Sequence, residues 1–243
     1  MSGACAAGAF MAGSLTAGAA TSIGVNFAGG GGGPGGDGGD ARLLQPIQVA
    51  GFVPAANWNN AQNASGTLNS LVGSDVGITT ATVTWVSNGL YTAHDTPLTA
   101  NPNQILTNGY LDDTSTAGTT TITFANLPFI GAYDVYLYYG SDENNRTGSA
   151  TLGSTQIFFA TNTNPFDDVF TAATPANDGA ADDGEYALFS GVTGTGFTID
   201  VARISNNVGV HGVQIVGIIP EPTSVGLLSL GLLGLLARRR RSA

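Results

Sequence analysis

Residues 134–138 read Asp134-Val135-Tyr136-Leu137-Tyr138, and their apolar side chains fall into two alternating sets. Successive side chains of an extended chain point to opposite faces. Val135 and Leu137 therefore share one face, while Tyr136 and Tyr138 share the other. This alternation predicts a β-strand over residues 133–139, around which the remaining segments can be placed.

Short runs of the same type recur along the chain, bounded by Gly, Asn, Asp and Pro. The other predicted strands cover residues 22–27, 47–53, 79–86, 104–110, 119–124, 149–152, 156–160, 186–190, 196–202 and 212–218. Between residues 41 and 219 no segment keeps a helical period over three turns. About ten short strands in roughly 200 residues predict an all-β fold, an antiparallel jelly-roll-like β-sandwich.

The composition restricts the possible partners of this domain. Lysine is absent, and residues 1–219 carry three arginines against 16 acidic residues. Such a balance repels nucleic acid and anionic headgroups and is compatible with neutral glycans or divalent cations. The single cysteine, Cys5, allows no disulfide within the chain and no cysteine-based metal site in the domain.

The predicted domain spans residues 21–219, includes a glycine-rich loop at 29–40, and is flanked by a segment at each end. Residues 1–20 are small and apolar and end in a sequence that fits signal peptidase, which predicts a signal-peptide-like segment. No basic residue precedes Arg42, however, so the usual positive region is missing. Either the true start lies upstream or the segment is a poor signal, and we favour a truncated or misassigned start.

The segment at 220–243 resembles a membrane anchor. Val225–Ala237 is free of charge and is followed by four arginines, Arg238, Arg239, Arg240 and Arg241. As a helix, residues 223–237 span about 22 Å, which is short for a hydrocarbon core of about 30 Å. Arginines next to an apolar run tend to stay in the cytoplasm. A single transmembrane sorting helix is therefore predicted, with the domain outside.

Pro220-Glu221-Pro222, the apolar run and the arginine cluster follow one another in this order, and together they resemble the PEP-CTERM sorting signal of Gram-negative and related bacteria. The resemblance implies recognition by a membrane-embedded exosortase and cleavage near Pro220–Pro222. It also implies that the protein is exported, passes through the inner membrane, and reaches the cell surface or the extracellular space, often alongside exopolysaccharide. An ordinary tail anchor is the alternative interpretation.

The body of the chain carries a looser resemblance. GFVPAANWNN at 51–60, YDVYLYYGSDENNRTGSATLG at 133–153 and HGVQIV at 211–216 look like the β-sandwich ectodomains found upstream of such tails. Those ectodomains resemble galactose-binding-like carbohydrate modules. The resemblance implies a fold without a defined active site.

Trp58, between Asn57 and Asn59, is the candidate ligand-binding residue. An exposed indole ring stacks on a pyranose face while neighbouring amides bind hydroxyl groups. The alternative is a tryptophan that packs onto the sandwich while the asparagines form turns.

The acidic stretch at 178–185 is the candidate metal site. Hard cations need several oxygen ligands converging from loops, and Gly179 and Gly184 would allow backbone carbonyls to join them. The sequence predicts a structural Ca²⁺ site formed by Asp178, Asp182, Asp183 and Glu185. The alternative is a solvated turn whose acids maintain solubility.

No catalytic motif is present in the sequence. His94 and His211 are the only histidines, no Gly-x-Ser-x-Gly occurs, and no spacing singles out a pair of carboxylates. The first hypothesis is therefore a non-enzymatic surface protein, without a cofactor, that binds carbohydrate in the envelope or matrix. The alternatives are a secreted polysaccharide hydrolase and a purely structural or adhesive matrix protein.

The sorting signal predicts a shortened mature chain. Protein recovered from the cell surface or medium should end near Pro220–Pro222, and mass spectrometry should find no peptide containing Arg238–Arg241. A strain without exosortase should retain the arginines in the membrane fraction. A soluble cytosolic product that still carries them would contradict the prediction.

Overall fold

The computed structural model describes residues 20–28, 43–93, 101–113, 118–162, 166–174 and 182–218. A compact unit runs from Ala20 to Ile219. The glycine-rich loop, the sorting segment and all of the signal-like segment except Ala20, which begins β1, lie outside the described residues. Within the described ranges, no helix has both the length and the apolar character needed to cross a bilayer.

The described residues form strands and one short helix. In chain order the elements are β1 (Ala20–Phe27), β2 (Asn59–Ala61), β3 (Ser65–Leu68), β4 (Thr82–Val86), β5 (Gly89–Thr92), α1 (Pro102–Leu106), β6 (Gly109–Asp112), β7 (Thr119–Ala125), β8 (Tyr133–Gly140), β9 (Thr147–Leu152), β10 (Thr155–Thr161), β11 (Asp182–Gly184), β12 (Tyr186–Val192), β13 (Phe197–Ser205) and β14 (Gly209–Ile218).

The strands form two sheets. The first has the order β12-β8-β14-β1-β2, with β6 paired to β14 and β5 paired to β6. The second has the order β11-β10-β9-β13-β7-β4-β3. Pairing is antiparallel except at two edges, where β1 and β2 are parallel and β10 and β11 are parallel. The predicted all-β, antiparallel jelly-roll-like sandwich is confirmed, with these two parallel pairs as an addition.

The main core lies between the two sheets. Val135 and Leu137 of β8 belong to one buried cluster with Ile122 of β7 and Phe159 of β10. Tyr139 continues the same face and stacks on Phe159 with ring centroids 3.9 Å apart. Burial of these side chains stabilises the sandwich, because removing apolar surface from water contributes about 25 cal/mol per Å².

A second apolar layer covers the outer face of the first sheet. Tyr136 and Tyr138 point into it, as the alternation predicted, and they join Trp58 and Leu106 in a cluster separate from the main core. Residues 44–58 and helix α1 supply the covering side chains. β8 is therefore buried on both faces.

One predicted strand is wrong, and a second is wrong in part. Residues 47–53 form turns with a bridge between Ala50 and Ala55, because this segment crosses the outer face and does not extend a sheet. Residues 104–110 begin inside α1, where the Asn101 side chain accepts a hydrogen bond from Asn103 N (3.0 Å) and caps the helix. The strand begins only at Gly109. Strands β2, β3, β5 and β11 have three or four residues, too few to show an alternation.

Candidate functional site

Trp58 is buried, so the predicted exposed ring is wrong. Its Nε1 donates a hydrogen bond to Ala55 O (2.9 Å). The ring lies directly over Gly24 of β1: a Cβ atom at Gly24 would be 2.6 Å from Trp58 Cδ2. Trp58 thus fills the space left by a residue without a side chain, and it has no open face on which a sugar could stack.

The flanking amides are also engaged in structural contacts. Asn57 has a φ of 60°, in the left-handed region that asparagine tolerates, and its Nδ2 donates to Ser74 O (3.1 Å). Asn59 Nδ2 donates to Gly24 O (2.9 Å) and Val72 O (3.0 Å). These contacts join the segment around residue 58 to β1 and to the loop at 72–74. They correspond to the packing alternative considered for this stretch.

An aromatic platform, formed by Phe52, Tyr136 and Tyr186, lies on the outer face of the first sheet. Phe52 is 45% exposed, whereas Tyr136 and Tyr186, which pack against it, are buried. Its ring centroid is 4.7 Å from that of Tyr186 and 5.7 Å from that of Tyr136, with interplanar angles of 31° in both pairs. Sequence reasoning chose Trp58 and missed Phe52, although Phe52 lies in the same GFVPAANWNN stretch.

The backbone beneath Phe52 is held by a buried hydrogen-bond network. Phe52 N donates to Tyr138 Oη (2.7 Å), and this hydroxyl donates to Gln214 Oε1 (2.8 Å). Gln214 Nε2 donates in turn to Val53 O (2.6 Å). Burial raises the pKa of Tyr138 far above its usual value, so the hydroxyl stays protonated and able to donate. The loop that carries Phe52 is therefore fixed on the sheet.

Polar groups border the platform on the same face. Asp134 precedes Tyr136 by two residues on β8 and therefore shares its face. Its Oδ1 accepts hydrogen bonds from Ser190 Oγ (2.7 Å) and Gly191 N (3.0 Å). An exposed ring with a carboxylate and a hydroxyl near it is the kind of surface that holds a sugar.

The four residues of the predicted calcium site are only partly described. Asp178 and the side chain of Asp182 lie outside the described residues, and Asp183 is exposed. Glu185 is buried and accepts hydrogen bonds from Thr171 N (2.5 Å) and Asn162 Nδ2 (3.4 Å). Burial also raises the pKa of Glu185.

Glu185 thus connects the loop at 171–173 to β12, which is a structural role and fits a calcium ligand poorly. No group of three or more His, Cys, Asp or Glu residues in the described ranges is arranged to hold a metal ion. Calcium binding by the four-residue set stays a prediction.

The structure brings together a buried carboxyl cluster that the sequence did not single out. Asp112 ends β6 and is almost fully buried, and neither of its carboxyl oxygens has a hydrogen-bond partner among the described residues. Asp142 lies near it and is held by Arg146 Nη1 (2.6 Å) and Tyr110 Oη (3.1 Å). Burial, with the negative charge of Asp142, raises the pKa of Asp112 to about 7.

The histidines do not form a described catalytic site. His94 lies outside the described residues. His211 is fully buried, its Nδ1 lies 2.8 Å from Gly109 O, and its ring meets the Tyr110 ring edge-on at 5.6 Å. His211 is therefore part of the packing between β14 and β6.

The residues of the sorting signal, Pro220, Glu221, Pro222 and Arg238 to Arg241, lie outside the described residues. The family model of the PEP-CTERM protein-sorting motif matches residues 219–241. The chain therefore ends in a PEP-CTERM motif, and exosortase is its processing partner. Export through membrane-anchored processing to the cell surface or extracellular space follows from this motif.

Comparison of the whole chain adds no further assignment. No curated protein matches the sequence. A solved structure similar to this chain is the C-terminal CBM6 of LamC, a marine laminarinase from Zobellia galactanivorans, with 11% sequence identity and a TM-score of 0.23. The match covers 44% of this chain and 86% of that one. A likeness this distant carries no argument about the ligand.

The close contact between Gly24 and the Trp58 ring predicts that a side chain added at position 24 lowers the stability of the domain. Gly24→Ala should lower the free energy of unfolding by about 1–3 kcal/mol, because the new methyl group overlaps the buried indole. Urea denaturation measures the change. In the Trp58→Leu background the same glycine substitution should cost less, since the overlapping ring is gone. Equal costs in both backgrounds would contradict the packing described here.

The buried Asp112 predicts a stability that falls as the pH rises. Its pKa of about 7 in the folded protein lies above the ordinary aspartate value of 3.8, so its contribution to stability is complete below pH 3.8 and is lost as the pH rises to 7. Each pH unit between the two pKa values corresponds to about 1.4 kcal/mol. Asp112→Asn should flatten the dependence of melting temperature on pH between 4 and 8. The exposed Asp200→Asn variant is the control, and an unchanged slope in Asp112→Asn would rule out this origin.

Proposed function

We propose that this protein is an exported, non-enzymatic β-sandwich of the bacterial envelope or matrix that binds neutral carbohydrate through its aromatic platform. The observation that supports the proposal is the exposed ring of Phe52, backed by Tyr136 and Tyr186. The sorting motif supports the location, since it delivers the domain to the side of the membrane where exopolysaccharide accumulates.

The chemistry of the platform suits a sugar ring. The apolar C–H face of a pyranose packs on an aromatic ring, while Asp134 and Ser190 at the border offer an acceptor and a hydroxyl. The buried network below Phe52 holds the ring in place before binding, so little conformational entropy is lost when the ligand arrives. A ring that is already held in place can bind a sugar with measurable affinity through a small contact area.

The charge of the protein selects against acidic polymers. Residues 1–219 carry three arginines and 16 acidic residues, and the carboxylate of Asp134 lies next to the platform. An anionic polysaccharide would be repelled, particularly at low ionic strength. Neutral glycans are therefore the proposed ligand class.

The described residues favour binding over hydrolysis. Glycoside hydrolysis needs two carboxyl groups that reach the bond to be cleaved. Asp112 has the raised pKa of an acid catalyst, but it is enclosed, and Asp142 beside it is engaged by Arg146 and Tyr110. A purely structural or adhesive role remains the alternative if no glycan is retained.

Affinity electrophoresis in gels containing neutral polysaccharides tests the site. The wild-type chain should be retarded, and Phe52→Ala should weaken retardation about tenfold, equivalent to about 1.4 kcal/mol of binding free energy. Val49→Ala is a matched control, because Val49 is an exposed apolar residue of the same loop without an aromatic ring. It should leave the retardation unchanged.

Three other outcomes would change the assignment. Retardation that survives Phe52→Ala would place glycan binding elsewhere. Absence of retardation in every neutral glycan would favour the structural or adhesive role. Release of reducing sugar from matrix polysaccharide, lost when loop carboxylates are replaced, would favour the hydrolase.

A further inference from the structure

One end of the sandwich is where the chain enters β1 and leaves β14. Thr21 of β1 pairs with Gly217 of β14 at this end. The loop at 73–78 joins it through Ser74 N, which donates to Ser22 O (2.8 Å). The loop at 126–132 joins it through Phe129, whose ring would lie 2.6 Å from a Cβ atom at Gly217. Both loops therefore flank the point at which the chain continues toward the sorting motif.

These two loops expose three large aliphatic side chains, which we call the apolar tip: Val76, Ile78 and Ile130. Their exposed fractions are 70%, 79% and 54%. Thr80 Oγ1 donates to Asn126 O (3.2 Å) and connects the two loops. Isolated exposed apolar residues need no explanation, but three on adjoining loops beside the exit of the chain do.

The conformation of Val76 adds a separate observation. Its φ is 62°, in the left-handed region, where a β-branched side chain is unfavourable. The turn is closed by Val76 N donating to Gly73 O (3.0 Å) and by Gly77 N donating to Asp75 Oδ1 (3.0 Å). Glycine or asparagine would fit this turn with less strain. The left-handed conformation of this exposed valine costs conformational energy that no buried contact of its side chain offsets, which is consistent with a role outside the folded domain.

The length of chain beyond β14 indicates what covers the tip. The seven residues from 219 to 225 extend at most about 25 Å, and they end at the first residue of the apolar run. Before processing, the membrane-anchored motif therefore holds this end of the sandwich close to a lipid surface. Three aliphatic side chains without a basic residue among them suit the acyl-headgroup boundary of a zwitterionic bilayer, not an electrostatic site.

We propose that the apolar tip (Val76, Ile78, Ile130) inserts into the outer leaflet of the membrane while the chain still carries its sorting segment. Insertion orients the sandwich and keeps Pro220-Glu221-Pro222 at the membrane surface, where exosortase acts. The tip alone is a weak anchor, since stable attachment to a bilayer usually needs two signals. Cleavage removes the stronger signal, which is the sorting segment. The weak contact between the apolar tip and the membrane is then reversible, and the domain is released.

Site-specific labelling of the full-length chain tests the contact. In a Cys5→Ser background, one cysteine is placed at position 76, 78 or 130, labelled with an NBD fluorophore, and the protein is reconstituted into phosphatidylcholine vesicles that contain a shallow nitroxide lipid. The control label is placed at position 204. Leu127 N donates to Thr195 O (2.9 Å), so β13 begins beside the loop at 126–132, and Ile204, which is 44% exposed, lies near the other end of that strand.

The tip labels should show blue-shifted emission and at least twofold stronger nitroxide quenching than the label at 204. Replacing Ile78 and Ile130 with Asp should reduce quenching of the label at 76 by half or more. This variant separates insertion of the tip from attraction of the fluorophore to the membrane.

Equal quenching at 76 and 204, or vesicles that do not carry the chain on flotation, would overturn the proposal. So would shielding of the tip only in vesicles that contain exosortase, which would assign the surface to a protein partner. Glycan retardation is measured separately and does not decide this result.

Discussion

Burial of β8 on both of its faces is the constraint on which the rest of the domain depends. Val135 and Leu137 pack between the sheets, while Tyr136 and Tyr138 need a second cover on the outside. That cover consists of the loop at 44–58 and helix α1. The loop packs closely on the sheet because the strand below Trp58 has no side chain at the point of contact. Gly24 provides this space and Trp58 fills it. The packing explains why a tryptophan flanked by asparagines is a structural element of this protein.

The same cover creates the candidate site. Phe52 lies at its edge, where the apolar layer ends and the outer face of the sheet becomes accessible, and the hydroxyl of Tyr138 and the amide of Gln214 fix the backbone there. A surface that is rigid, aromatic and bordered by few polar groups is the product of an incomplete second layer. The apolar tip does not belong to this second layer. Its two loops lie at the end of the sandwich where β1, the first strand of the described domain, pairs with β14, the last. The domain thus presents one exposed aromatic ring on the outer face of a sheet and three exposed aliphatic side chains on loops beside the end of β14.

The alternation of apolar residues predicted most of the strands correctly, and each exception has a local cause. The alternation at 134–138 correctly divided four apolar side chains between two faces, since strand geometry leaves no other choice. The segment at 47–53 has β-type composition, but its apolar residues cover a sheet and do not extend one. At 104–110 the cap formed by Asn101 and the proline that follows it began a helix of five residues, shorter than any period can reveal. The choice of Trp58 over Phe52 as the exposed ring failed because exposure depends on the glycine opposite, which is distant in sequence.

The address of this protein is a property of its linear sequence. Recognition of Pro-Glu-Pro, the apolar run and the arginine cluster depends on their order along the chain. That order is enough to identify the sorting signal, and the match of the sorting motif to residues 219–241 confirms it. Contacts between segments far apart in the chain determine everything about its surfaces. Which aromatic ring is open, which carboxyl is enclosed with a pKa near 7, and which aliphatic side chains gather beside the exit of β14 all depend on partners from other strands and loops. Burial and electrostatic environment arise only when those partners meet, and no local pattern of residues encodes them.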